Sequence, residues 1–297
     1  HYLCPMHTTH PPSLRDWLIM FGLAFVWGFS FLFIKRSVAI FTPIQVLSWR
    51  MTMATLAYLP FAIAYWSKIQ WKSWPYYAVV ALSGSAIPNL MYAFAQKHVS
   101  SSLAGVLNSL TPLFTLILGA LFFQMKVTKY KALGILLGFA GASVLIIFNA
   151  KNAVSGHLGF ALVCALATLF YALNSNIVGS KLREHHPAAI ASASFMLMGL
   201  PFVGLLVGSG GIEAAMTHPD GWKGVGYLAF LGAIGTALAS IIYFDLLQRT
   251  STLFATSVTF LLPVMSIIIG TLDGETIGFS DILGTGIILG GLYLARK

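Results

Sequence analysis

Runs of about 20 consecutive apolar residues recur along the whole chain, each long enough as a helix to cross a hydrocarbon core of about 30 Å. We read ten, at about 16–36, 43–66, 75–95, 100–123, 128–148, 157–180, 186–208, 221–247, 250–271 and 279–295. The segments between them are too short for a soluble catalytic or binding domain. Where water is absent, every backbone polar group must be bonded internally, which leaves helices or a closed β-barrel. Barrel strands alternate apolar and polar residues, and these runs do not. The expectation is an all-α membrane protein of ten transmembrane helices.

Composition agrees. Of 297 residues, 58% are hydrophobic and 8% charged, against about 25% charged in soluble domains. The polar stretch before the first run, residues 1–15, reads as a disordered tail with no cleavable signal. Cys4 and Cys164 suggest neither a disulfide framework nor a metal site, and no cofactor motif is present.

The net charge of +9 reflects loop lysines and arginines rather than a nucleic-acid surface. With the amino terminus in the cytoplasm, about eleven basic residues lie in inner segments and five in outer ones; Arg50, inside a span, is the seventeenth. Both termini are therefore placed on the cytoplasmic side of a bacterial-type inner membrane.

Sliding the chain over itself by about 150 residues reveals a repeat. "YAFAQKHVSSSLAGVLNSLTPLFTLILG" from Tyr92 aligns with "YFDLLQRTSTLFATSVTFLLPVMSIIIG" from Tyr243, matching Pro112 with Pro263 and Gly119 with Gly270. The halves are 16–148 and 157–295. Five spans is an odd number, so the second half must enter the membrane from the opposite side, and the repeats are inverted. Secondary transporters often use this plan, holding solute near the midplane between the halves.

The paired prolines have a physical reading. Proline lacks an amide hydrogen and clashes with the carbonyl four residues back, so Pro112 frees the carbonyl of Asn108 and Pro263 frees that of Thr259. Each freed acceptor lies beside a polar side chain. By helical rise, Asn108 is about 12 Å below the outer face and Thr259 about 13 Å above the inner face. Such prolines either serve packing alone or flank a solute path.

Several features together resemble the EamA family of the drug/metabolite transporter superfamily, over essentially the full span 16–295. They are "FVWGFSFLFIKRSV" in the first span, "TPIQVLSWRMTMATL" in the second, the Tyr-to-Pro segment of each half, and "GETIGFSDILGTGIILGG" at the end. The resemblance implies a ten-helix transporter with a central cavity lined by the first, third, fourth, sixth, eighth and ninth helices, whose members often export amino acids or related metabolites. The family's acidic residue after the ninth span is present as Glu275, while the corresponding place in the first half holds Gln124. A helix-start or loop role is expected there.

Within the spans, candidate cavity residues are those whose polarity needs a partner away from lipid. Asn89 and Tyr92 follow Pro88, which is expected to kink the third span, and share one helical face; Tyr171 and Asn174 share the same spacing in the sixth. Tyr243 is the repeat mate of Tyr92. Trp27, about 16 Å into the first span, either walls a solute site or packs against helices or lipid. Arg50, about 10 Å from the outer face, either snorkels outward, bonds helix-end carbonyls or meets a substrate carboxylate. Trp66, Trp71 and Trp74 read as interfacial anchors.

Gly134 with Gly138, and Gly286 with Gly290, carry the spacing that lets helices approach closely. We read them as scaffold rather than a homodimer seam, and the protein as a monomer among lipids. No Asp, Glu or His lies deep in a span as a proton relay would require. The alternatives, an intramembrane enzyme or a non-transporting sensor, would need a nucleophile with its base, a metal cluster, or an attached signalling region, and none is legible. The reading is a carrier of small organic solutes, with the prolines of the fourth and ninth spans as gates.

Overall fold

The structure, a computed structural model, describes residues 12–125, 128–152 and 157–295. Residues 1–11, which include Cys4 and most of the expected tail, lie outside the described residues, as do Lys126, Arg296 and Lys297. In chain order the helices are α1 (Leu14–Val38), α2 (Pro43–Ala64), α3 (Trp71–Ala95), α4 (Ser101–Phe122), α5 (Lys129–Asn152), α6 (His157–Ser180), α7 (Pro187–Gly208), α8 (Gly221–Arg249), α9 (Thr252–Leu272) and α10 (Phe279–Ala295). A short helix, Gly211–Thr217, links α7 to α8. On the described residues alone, α1–α4 and α6–α9 are eight helices long and apolar enough to cross a membrane. No strand occurs among the described residues.

Helix starts are written in short polar motifs. Ser13 and Asp16 form a capping box, with the Asp16 carboxylate accepting from the Ser13 amide at 2.9 Å. Leu14 and Arg15, assigned to the tail from sequence, consequently belong to α1. Thr42 and Gln45 form a second box, with Pro43 in the first turn, where an amide hydrogen is not needed. Ser100 and Ser251 cap α4 and α9 by accepting from the amides of Leu103 and Phe254.

Four helices are broken, in matching places. A π turn interrupts α3 at Leu82–Ala86 and α8 at Ala233–Leu238. Their first residues stand 151 positions apart, the separation that also divides Tyr92 from Tyr243 and Pro112 from Pro263. In α4 the helix Ser101–Asn108 gives way to a second piece beginning at Thr111, and in α9 a 3-10 turn, Ser257–Phe260, precedes a piece beginning at Leu262. Pro112 and Pro263 each sit in the first turn of the second piece. Pro88 likewise follows the π turn of α3, so the irregularity lies upstream of the proline rather than as a simple kink at it.

The halves interlock by an exchange rule. The main contacts between them pair α1 with α8 and α6 with α3, α1 with α9 and α6 with α4, and α2 with α8 and α7 with α3. Three further pairs, α2 with α7, α4 with α9 and α5 with α10, join equivalent helices. Swapping each helix of one half for its counterpart returns the same set of main pairs.

The α5–α10 pair carries the glycines. A Cβ on Gly291 would lie 2.6 Å from the Gly134 carbonyl oxygen and the Gly138 amide, and one on Gly141 would meet the backbone of Gly284 and Ile288 within 2.9 Å. Gly134 and Gly138 are therefore at the close approach. Gly286 and Gly290 are not: nothing lies within 4 Å of a Cβ built at either. The contact in α10 is made instead by Gly284 and Gly291, seven residues apart and so on one face two turns apart.

Candidate functional site

Where the broken helices converge, a cavity of about 110 Å³ opens in the interior, against about 10–15 Å³ for a single water. All eight side chains proposed from sequence to line a cavity are in its wall: Trp27, Asn89, Tyr92, Asn108, Tyr171, Asn174, Tyr243 and Thr259. Arg50 is there too. The wall is wider than the family resemblance implies, because α2 adds Arg50 and Tyr58 and α7 adds Ala191, Ser194 and Phe195.

On one side of the cavity, Tyr92 donates its hydroxyl hydrogen to Asn108 Oδ1 at 3.0 Å. The Asn108 carbonyl, freed by Pro112, is not an unpaired acceptor as the sequence suggests: it takes the Thr111 hydroxyl at 2.8 Å. A threonine one residue before the proline thus supplies the hydrogen that the proline removes. The Tyr92 and Tyr171 rings stack with centroids 6.3 Å apart, and the Tyr171 hydroxyl points to Asn89 Oδ1 at 3.4 Å.

Elsewhere in the wall, Trp27 of the first half meets residues of the second. Trp27 Nε1 donates to the Gly235 carbonyl at 3.0 Å and its ring meets Tyr243 edge-on at 5.4 Å. Trp27 is therefore fixed within the wall and does not face lipid. The Tyr243 and Ser175 hydroxyls are 2.8 Å apart. Thr259 bonds the Thr256 carbonyl of its own helix at 2.9 Å.

Each π turn presents a glycine to the opposite half. A Cβ on Gly84 would stand 2.8 Å from the Asn174 amide, and one on Gly235 would stand 3.3 Å from the Ser30 hydroxyl. Gly84 leaves room for Asn174 that a methyl would take, Gly235 is a closer fit than most, and π turns recur at functional sites. The amide oxygen of Asn174 is buried and has no hydrogen-bond partner among the described residues.

Arg50 is 6% exposed and reaches neither an outer surface nor a helix end. Its Nε donates to Thr236 Oγ1 at 3.1 Å, and Thr236 in turn donates to the Leu231 carbonyl at 2.9 Å. Tyr58 adds a second tie to the same π turn by donating to the Thr236 carbonyl at 3.2 Å. Thr236 was not picked out from sequence. Its only signal there is a lone hydroxyl in the small-residue stretch "GAIGTALAS".

Charges cluster at the two ends of α1, about 28 Å apart by helical rise. At one end Lys35 Nζ meets Glu275 Oε1 at 2.5 Å and Arg36 pairs with Asp273. Glu275 also accepts from the Ser101 and Ser102 amides at 2.9 and 3.1 Å and from both their hydroxyls. Burial alone would raise the Glu275 pKa, but the bonds from Lys35, Ser102 and Ser101 outweigh it and hold it at about 2. The carboxylate thus serves the start of α4, where helix amides and their dipole favour a negative charge. At the other end Arg249 bridges Asp16 at 3.0 Å and Asp245 at 2.7 Å. Gln248 there donates to the Leu182 and His185 carbonyls. Trp66, Trp71 and Trp74 are exposed near α3, the first two in edge contact.

Among the described residues no group of three or more His, Cys, Asp or Glu could hold a metal ion.

Comparison with known proteins places this architecture. A transporter of Archaeoglobus fulgidus, described as uncharacterized, is 25% identical over 285 residues, covering 96% of this chain and 99% of that one. A probable amino-acid metabolite efflux pump of Salmonella typhimurium is 26% identical over 296 residues, covering 95% of each chain. A crystal structure sharing 17% identity superposes with a TM-score of 0.63 over 96% of this chain and 97% of its own, which shows a common fold. The EamA-like transporter family matches twice, over residues 16–147 and 158–296, once per half, and the chain belongs to that family.

Proposed function

We propose that this membrane transporter moves small organic solutes, amino acids or related metabolites, out of the cell across the inner membrane by alternating access, with ten spans in two inverted halves. The observation that carries the reading is a central cavity, lined by polar, aromatic and aliphatic side chains, to which both halves contribute the same parts: a π turn, a broken helix with a proline, and a tyrosine beside a small polar partner. The exchange-symmetric helix pairing and the odd number of spans per half support an in-plane two-fold axis. If each half can adopt the other's shape, the open side of the cavity switches.

The chemistry of the wall suits amino-acid-like solutes. Amides, hydroxyls and aromatic faces with one guanidinium offer hydrogen bonds and apolar area without a field of like charges. The Salmonella relative's description points to the same class. The ion-pair clusters at the two ends of α1 are positioned as closures that break in turn. Arg36 and Lys35 would hold one mouth, and Arg249 the other.

The test is solute counterflow in proteoliposomes, with candidate solutes drawn from metabolites that differ between cells with and without the protein. The reading expects saturable exchange for some of them. Purified, correctly folded protein that exchanges none of the solutes altered in cells would refute it.

A further inference from the structure

Arg50 is an arginine at cavity depth with most of its hydrogen-bonding capacity unused. Guanidinium has five N–H donors, and only Nε is engaged, by Thr236. Among the described residues no hydrogen bond or ion pair engages the terminal nitrogens, and the side chain lines the cavity. The carboxylates that form ion pairs are committed elsewhere: Asp273 and Glu275 to Arg36 and Lys35, Asp16 and Asp245 to Arg249. A largely buried guanidinium with no carboxylate partner among the described residues is unfavourable, and an anion entering the cavity would relieve that cost. The bond from Nε to a threonine that is itself anchored to Leu231 restrains the guanidinium and leaves its terminal nitrogens, a two-pronged donor, free to serve the cavity that the residue lines.

We infer that Arg50 is the residue that recognises the solute's anionic group, and that this group is a single carboxylate. A carboxylate matches the paired terminal N–H groups of arginine in parallel. A phosphate dianion would bring a second negative charge, and the cavity wall has no lysine and no other arginine to meet it. Arg50 touches the solute in this account, and Thr236 positions it. The inference rests on the transport reading above and adds to it the solute's charge.

The experiment measures binding separately from flux. Purified protein in lipid nanodiscs is titrated with a panel of amino acids and 2-oxo acids, each paired with the amide or amine that lacks the carboxylate, and the same pairs are run in counterflow. The wild type is expected to prefer carboxylates by about tenfold or more, the range for a bond to a charged group. Arg50→Gln should abolish that preference, and Arg50→Lys should restore part of it. If Arg50→Gln fails to fold, Arg50→Lys and Thr236→Val carry the test, each expected to weaken carboxylates while leaving their amides unchanged. Equal binding of acids and their amides, retention of the preference in folded Arg50→Gln, or no carboxylate bound at millimolar concentration would each overturn the inference. Carboxylate binding without counterflow would sink transport and leave the binding role standing. Counterflow of neutral partners without carboxylate preference would do the reverse.

Discussion

Trp27 Nε1 and the Gly235 carbonyl, 3.0 Å apart, join α1 of the first half to the π turn of α8 in the second. The bond crosses the cavity wall, and an irregular turn is what brings that carbonyl within reach. Trp27→Phe keeps an aromatic ring and removes the donor. A net hydrogen bond is worth about 1 kcal/mol, or about a fivefold change in equilibrium, so solute affinity should fall by about that factor while the melting temperature in detergent moves little. Unchanged affinity would mean that the ring, not the bond, sets the wall.

Asn108 holds the Tyr92 hydroxyl at 3.0 Å, and its counterpart Thr259 faces the same cavity. Asn108→Ala and Thr259→Ala should each lower exchange by about tenfold, the effect of leaving a buried or solute-facing polar group without its partner. Size-exclusion profiles should match wild type. Normal exchange of several solute classes by both variants would remove these residues from the solute path.

Glu275 predicts a pH dependence with a definite sign. Its pKa is lowered in the folded protein, to about 2. Its contribution is therefore fully present above the ordinary carboxylate pKa of about 4.3, and is lost as pH falls from there through about 2. Glu275→Gln should lower stability by about 1–2 kcal/mol at pH 7, discounted for partial solvent access. The gap between wild type and variant should narrow steadily on acidification. A constant gap from pH 7 to pH 3 would contradict the assignment.

The glycines of α5 and α10 separate scaffold from site. Gly141→Ala places a methyl within 2.9 Å of the α10 backbone and should cost about 1–3 kcal/mol of stability without altering the apparent affinity for solute. Gly286→Ala meets open space and should change neither. Melting curves and counterflow on the same preparations decide it.

What could be read from the chain follows from how local each signal is. Asn89, Asn108, Tyr171 and Asn174 stand out because an amide or phenol inside an apolar run must find a partner, and the structure brings them to one cavity. The π turns were invisible, since one inserted residue leaves a helix apolar and almost in phase. Thr111, Ser194 and Thr236 carry no signal in the sequence because each hydroxyl is partnered by a carbonyl of its own helix, so nothing about its type demands a site. The choice of partner for Arg50, and the docking of Glu275 onto Ser101 and Ser102 more than 170 residues away, depend on packing that no window of sequence contains.

The most direct test of two opposed halves sharing one central cavity is sidedness. Single cysteines at Asn108 and Thr259, in a background with Cys4→Ser and Cys164→Ala, are exposed to a membrane-impermeant thiol reagent from each face of oriented vesicles. The account predicts that each position is reached from both faces, one conformation at a time, and that bound solute changes both rates in opposite directions by face. Labelling of Asn108 from one face only and of Thr259 from the other only, under every condition, would contradict it.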